Sequence, residues 1–304
     1  MDIRKIISFL EQGDLAYEVY FSKKTNFGYE SFSPNVDGRI FYDILDLISK
    51  KLNQLLSKEQ IPYNPTGYRD GTIEFCKTDY IENYGEILES FQNPDHVETE
   101  IDPDDFIFYC LTVKNRVGTG ENFEIKFFRR VTKFKKLNSK GLIARFSGNE
   151  LNKIEDKLIG LDGDIDLIVY NNEILILSHI SLERIFYLQD KFRKNAEEFL
   201  NTISNKPLIQ NFETFKTDCL DDGRFTKLLT KMSDEDVDMS LLIKRFDYIE
   251  KTINMFEIPL EIENGKNPKI IYSDKTQIYD ILRILRDCYY ISIIKEEKRI
   301  DNRI

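Results

Sequence analysis

Residues 161–177 hold the pattern that most restricts this chain: Leu161-Asp-Gly-Asp-Ile-Asp-Leu-Ile-Val-Tyr170, then Asn171-Asn172, then Glu173-Ile-Leu-Ile-Leu177. Both apolar runs are too short for helices. They are joined by asparagines, which tolerate the positive φ angles of a tight turn, so the segment reads as an antiparallel hairpin. Ser181 is the expected N-cap of a helix running to about Ile203, with an apolar stripe of Ile185, Leu188, Phe192, Ala196, Phe199 and Ile203. Antiparallel strands followed by a long amphipathic helix point to an α+β fold with mixed or antiparallel sheets under packed helices.

The rest of the chain alternates strands and helices without internal repeats. The opening segment, Met1 to Gln12, breaks its apolar residues with charge within two turns, so it is expected to be a first amphipathic helix and not a signal peptide. Residues 15–21 alternate as a strand. Residues 38–57 place Phe41, Ile44, Leu45, Ile48, Leu52, Leu55 and Leu56 at helical spacing. Strands are expected at 72–76 and 106–113, with a helix at 80–91 between them. Val-Gly-Thr-Gly-Glu-Asn at 117–122 breaks the pattern. It suggests two domains, 1–120 and 121–304, the second holding a long strand at 123–134, the hairpin and the C-terminal helices. Mostly helical sequence continues to about 256. A strand at 269–272, a helix capped by Ser273, and a strand at 289–294 close the chain.

No apolar run approaches the ~20 residues that span a bilayer. A reducing, cytoplasmic setting is expected, because Cys76, Cys110, Cys219 and Cys288 form no close pair. Only two histidines, His96 and His179, are present, which disfavours zinc enzymes built on several imidazoles. No P-loop, Gly-x-Ser-x-Gly elbow or His-Glu-x-x-His occurs. The sequence thus predicts no enzyme, no catalytic residue, no metal site and no cofactor.

Charge is where the sequence is informative. Lys and Arg number 43 against 53 Asp and Glu, a formal charge of −10. Yet residues 126–145 hold eight basic side chains and no acid: Lys126, Arg129, Arg130, Lys133, Lys135, Lys136, Lys140 and Arg145. Such residues release counterions from each phosphate they neutralise, which supplies most sequence-independent affinity for nucleic acid. An acidic chain needs that concentration of charge, because the rest of its surface repels a polyanion. These eight are the expected DNA-binding residues. The plainer alternative is a solubilising surface strand, or an edge guarded against aggregation. Phe127, Phe128 and Phe134 lie among them, either as core or as platforms for single-stranded bases.

Competing readings use other residues. Asp162, Asp164 and Asp166 precede one strand and Glu173 begins the next, a layout shared with Mg²⁺-dependent nucleases that carry an Asp and a later Glu-x-Lys. Here that triplet is Glu173-Ile174-Leu175, so the lysine is missing. The simpler reading is a turn entering a strand. His179 reads as a hydrogen-bonded structural residue. The acidic stretch Asp95, Glu98, Glu100, Asp102, Asp104 and Asp105, bracketed by Pro94 and Pro103, reads as a solvated loop containing His96. The C-terminal helix, with Arg283 and Arg286, has too few cations for a recognition helix. A third alternative is a scaffold whose basic strand meets a protein or anionic lipid.

The hairpin, with Leu182-Glu-Arg-Ile-Phe186 and Leu188-Gln-Asp-Lys-Phe-Arg-Lys-Asn-Ala-Glu-Glu-Phe-Leu200 after it, resembles the KwaB family of the bacterial Kiwa anti-phage system. The resemblance spans roughly residues 120–295 and is sharpest at 160–200. It implies DNA binding, a membrane-protein partner (KwaA), self-association as a homodimer, recruitment to the inner face of the membrane, and interference with phage replication. No catalytic signature accompanies it.

Overall fold

The computed structural model describes residues 1–12, 15–67, 69–94, 105–115, 123–131, 144–147, 150–153, 159–206, 208–235 and 237–301. They form an α+β protein of two compact units. Met1–Tyr63 and Tyr68–Leu188 make the first, Asn64–Gly67 and Gln189–Ile304 the second. The division falls at Leu188/Gln189 and not near residue 120. The reason is strand pairing: strands on both sides of the expected boundary complete a single sheet.

That sheet has eight strands. In chain order they are β1 (Leu15–Thr25), β2 (Gly28–Phe32), β3 (Glu59–Pro62), β4 (Thr72–Lys77), β5 (Phe108–Asn115), β6 (Glu124–Arg130), β9 (Leu167–Tyr170) and β10 (Glu173–Ile176). Spatially the order is β2-β1-β5-β6-β9-β10-β4-β3, antiparallel throughout except for β3 with β4. A separate hairpin joins β7 (Ala144–Ser147) to β8 (Glu150–Lys153). Asn171 and Asn172 both take positive φ, 49° and 60°, so the β9–β10 turn is the one their chemistry anticipates. The expected 123–134 strand is described as far as Arg130, and its remainder from 132 lies outside the described residues.

Both faces of the sheet are covered, because side chains alternate along each strand. Tyr109, Leu111, Val113, Ile125, Phe127, Ile168 and Leu175 meet α1 (Ile3–Leu10) and α2 (Gly38–Leu55), which contribute Ile6, Phe9, Phe41, Ile48 and Leu52. On the opposite face Phe108 and Phe128 pack with Phe91 of α3 (Tyr84–Gln92) and with Phe186. Phe186 ends α4 (His179–Ile185).

The single helix expected over 181–203 is two. Ser178, not Ser181, caps α4, accepting from the Ser181 N–H at 3.3 Å. Tyr187 takes φ of 51°, and α5 (Leu188–Ser204) starts after it. The apolar stripe runs on across the break, which concealed it.

In the second unit α5 packs with α6 (Phe212–Leu220), α7 (Gly223–Asp234), α8 (Met239–Lys244), α9 (Phe246–Phe256) and α10 (Ile278–Leu285) around Leu200, Phe215, Leu229, Ile270 and Leu282. A three-stranded sheet, β11 (Ile209–Gln210), β13 (Lys269–Ile271) and β12 (Glu261–Glu263), and a hairpin of β14 (Tyr289–Ile291) with β15 (Lys298–Ile300) complete it. A 3₁₀ turn, Lys275–Gln277, leads into α10, and its cap is Asp274, which accepts from the Thr276 N–H at 2.8 Å; Ser273 does not fill that role.

All four cysteines are buried, and burial pushes the Cys110 and Cys219 thiols up to about 12. At pH 8 their thiolate fraction is then roughly a thousandfold below that of a free cysteine. A chromogenic disulfide reagent should find no fast thiol in the native protein and four after denaturation. Rapid labelling of native Cys110 or Cys219 contradicts this packing.

Candidate nucleic-acid interface

Strand β6 carries the first three expected DNA-binding residues, and its pleat divides them. Phe127 and Arg129 point to the α1–α2 face, while Lys126, Phe128 and Arg130 point to the other. Phe127 and Phe128 are core side chains on opposite faces, so neither is a stacking platform.

Lys126 and Arg129 have carboxylate partners already. Lys126 is paired with Glu124, and its side chain is only 15% exposed. The Arg129 fork donates to Asp162 from Nε at 2.9 Å and from Nη2 at 3.0 Å, and its Nη1 donates to Asp166 at 3.1 Å. Burial opposes the Arg129 charge, but the Asp162 hydrogen bonds and the Asp166 charge outweigh it and hold the guanidinium above its ordinary value.

Arg130 differs. Its backbone N–H donates to Asp166 Oδ2 at 2.8 Å, but its guanidinium has no hydrogen-bonded acid among the described residues. Burial, and then the like charge of Arg184 on α4, pull it below its ordinary value. Arg130 and Arg184 line one open pocket of about 600 Å³ with Ser178, Ser181 and Ile180 at the start of α4. Sequence reasoning passed over Arg184. The available signal was Ser178, Ser181 and Arg184 recurring every third residue, which puts them on one helical face.

Lys133, Lys135, Lys136 and Lys140, with Phe134, lie outside the described residues. So do His96 and the acidic stretch, apart from Asp105. Arg145 belongs to β7.

The nuclease layout is not brought together. Asp166 is 3% exposed and serves as a joint. Its carboxylate takes Arg129 and the Arg130 N–H, its backbone N–H donates to Phe128 O, and its carbonyl accepts from Leu177 and Ser178. Asp162 is held by Arg129, and Asp164 pairs with Lys51 at 3.2 Å and lies 3.9 Å from Arg129 Nη2, so the three aspartates gather around a guanidinium and not around a metal site. Gly163 between them lies against α2, where an added Cβ would stand 2.3 Å from that of Leu47. Glu173 sits at the turn end of the hairpin, bound to Lys77 at 2.7 Å and to the N-terminal ammonium at 3.1 Å. It is separated from Leu177, which bonds Asp166, by four residues, roughly 13 Å of strand at ~3.3 Å each. The Lys77 hydrogen bond, and then that of the N-terminus, hold the Glu173 carboxyl below its usual range. Among the described residues no three His, Cys, Asp or Glu side chains group as metal ligands.

His179 Nε2 lies 2.9 Å from Oε2 of Glu74, itself 3% exposed, with the Tyr63 ring edge-on at 5.3 Å. The C-terminal arginines are engaged too: Arg286 forks onto Glu235 at 2.7 Å and Arg283 approaches Asp280. No helix among the described residues is long and apolar enough to cross a membrane.

A family model described as Kiwa protein KwaB-like matches residues 108–295. No curated protein matches the chain, and no solved structure does.

Proposed function

The chain belongs to the KwaB-like family of Kiwa proteins, and so to the components of the Kiwa anti-phage defence system; we propose that it acts there by binding DNA without cutting it. The binding is largely independent of sequence, and it obstructs phage replication. The observation that carries this reading is the run of eight basic side chains without an acid in a chain of charge −10. Arg130 adds to it: the last residue of β6 lies within that run and lines an open pocket beside Arg184, its guanidinium hydrogen-bonded to no acid among the described residues. Lys126 and Arg129, being paired, hold the sheet, so the phosphate contacts fall to Arg130, Lys133, Lys135, Lys136, Lys140 and Arg145.

The non-catalytic part rests on the acids. A carboxylate that already holds an arginine, a lysine or a backbone N–H must lose that partner before it can hold Mg²⁺. Incubation with supercoiled plasmid and Mg²⁺ should retard the plasmid and leave it supercoiled. Nicked or linear product would revive the nuclease reading, and an unretarded plasmid would favour the scaffold.

As a Kiwa component the protein is proposed to work with the membrane subunit KwaA, which would hold it at the inner face of the membrane, and to do so as a homodimer. Light scattering at micromolar concentration should give twice the chain mass of 36.0 kDa; a single-chain mass contradicts the dimer.

A further inference from the structure

The pocket beside β6 has a chemistry that generic attraction to a polyanion does not require. Three arginines line it, Arg129, Arg130 and Arg184, against one acid, Asp166. The acid is spent, because its oxygens accept from Arg129 Nη1 and from the Arg130 N–H. Two guanidiniums therefore remain without a carboxylate among the described residues, and they repel each other across the space between them. Placing like charges together is unfavourable unless an anion joins them.

The serines complete the set. Ser181 is 3% exposed and lines the same pocket. It accepts the Ser178 hydroxyl proton at 3.0 Å, and no acceptor among the described residues takes its own. A buried hydroxyl with a proton to give, beside two planar forks, is a donor set matched to a tetrahedral oxyanion. The lining, three arginines against one carboxylate, favours a dianion over a monoanion in charge. A backbone phosphodiester carries a single charge and lies along a convex rod, whereas a monoester phosphate ends a chain and can enter a concavity.

We propose that Arg130, Arg184 and Ser181 form a binding site for a phosphate monoester, the group that ends a nucleic-acid strand or a nucleotide. Where the monoester is a strand end, this deepens the DNA reading; where it is a nucleotide, the site stands without it.

The test uses the full chain and a 5′-phosphorylated oligothymidylate against its 5′-hydroxyl twin. The phosphorylated strand should bind roughly tenfold tighter, a ratio that one hydrogen bond to a charged group sustains. Thymidine 5′-monophosphate should compete for the difference. Arg184→Gln, an exposed substitution that breaks no ion pair among the described residues, should remove the preference at unchanged melting temperature, and Ser181→Ala should reduce it. Competition by the mononucleotide without a preference between strands supports the site and assigns it to nucleotides. Absence of both, or a preference that survives Arg184→Gln, overturns it. A covalently closed plasmid has no terminal phosphate, so its binding reads the DNA proposal alone.

Discussion

Asp166→Ala should lower stability by about 3 kcal/mol, because it leaves the Arg130 N–H without an acceptor and takes from Arg129 one of the two carboxylates it hydrogen-bonds, Asp164 standing further off at 3.9 Å. Asp162 remains on the Arg129 fork, which keeps the loss at the lower end for a broken buried ion pair. In a domain of this size that corresponds to roughly 6–12 °C in melting temperature. Asp166→Asn keeps an acceptor but not the charge and should fall between. Asp164→Ala, on an exposed residue whose partner Lys51 also meets water, should cost less than about 1 kcal/mol. Equal effects at 164 and 166 would mean that Asp166 does not join β6, β9 and β10. This ordering also decides how catalysis can be tested in cells. An Asp166 variant confounds chemistry with folding, so protection should be measured for Asp164→Asn with Glu173→Gln, which is expected to leave it intact.

What could be read from the sequence follows from which signals are local. The β9–β10 hairpin and α2 were legible because a turn dipeptide and a 3.6-residue period sit within one window. Strand β2 was missed: it is five residues long, and the Asn26–Phe27 turn before it carries a weaker signal than Asn171-Asn172. The break at Tyr187 needs positive φ in an aromatic residue, which nothing in the sequence announces. The pairing across the expected boundary was not legible, because glycines at 118 and 120 look like a linker, whereas β5 and β6 on either side of them pair over seven residues. Strand pairing is a long-range property and leaves no local mark.

The site was half legible for the same reason. Charge density along the chain marked residues 126–145, but the partners of Arg129 lie 33 and 37 residues further on, and only folding brings them in. A basic residue counted from sequence is a free cation only if no acid reaches it. That criterion withdraws Lys126 and Arg129 from the proposed phosphate-contacting set, leaves Arg130 in it, and adds Arg184 to that proposal from a helix that looked purely structural.

The largest expected effect on binding comes from reversing that set. Arg130→Glu with Lys133→Glu, Lys135→Glu and Lys136→Glu puts four acids where phosphates would sit. It should weaken binding at physiological salt by roughly 100-fold or more. Arg129 is left out, since its reversal would face three aspartates and unfold the sheet. Reversal of Lys5, Lys58, Lys244 and Lys295, all exposed, changes net charge equally and should cost far less. Unequal losses place the interface on the basic run; equal losses reduce the interaction to bulk charge.

The most direct test of the central claim is the salt dependence of DNA affinity, measured on two duplexes of unrelated sequence. With four to six phosphates engaged, log K should fall against log salt with a slope of about −4 to −5, the same for both duplexes. The quadruple reversal should bring the slope to about −1. A shallow slope in the unmodified protein, or a steep one that the reversal leaves unchanged, contradicts binding through this basic run.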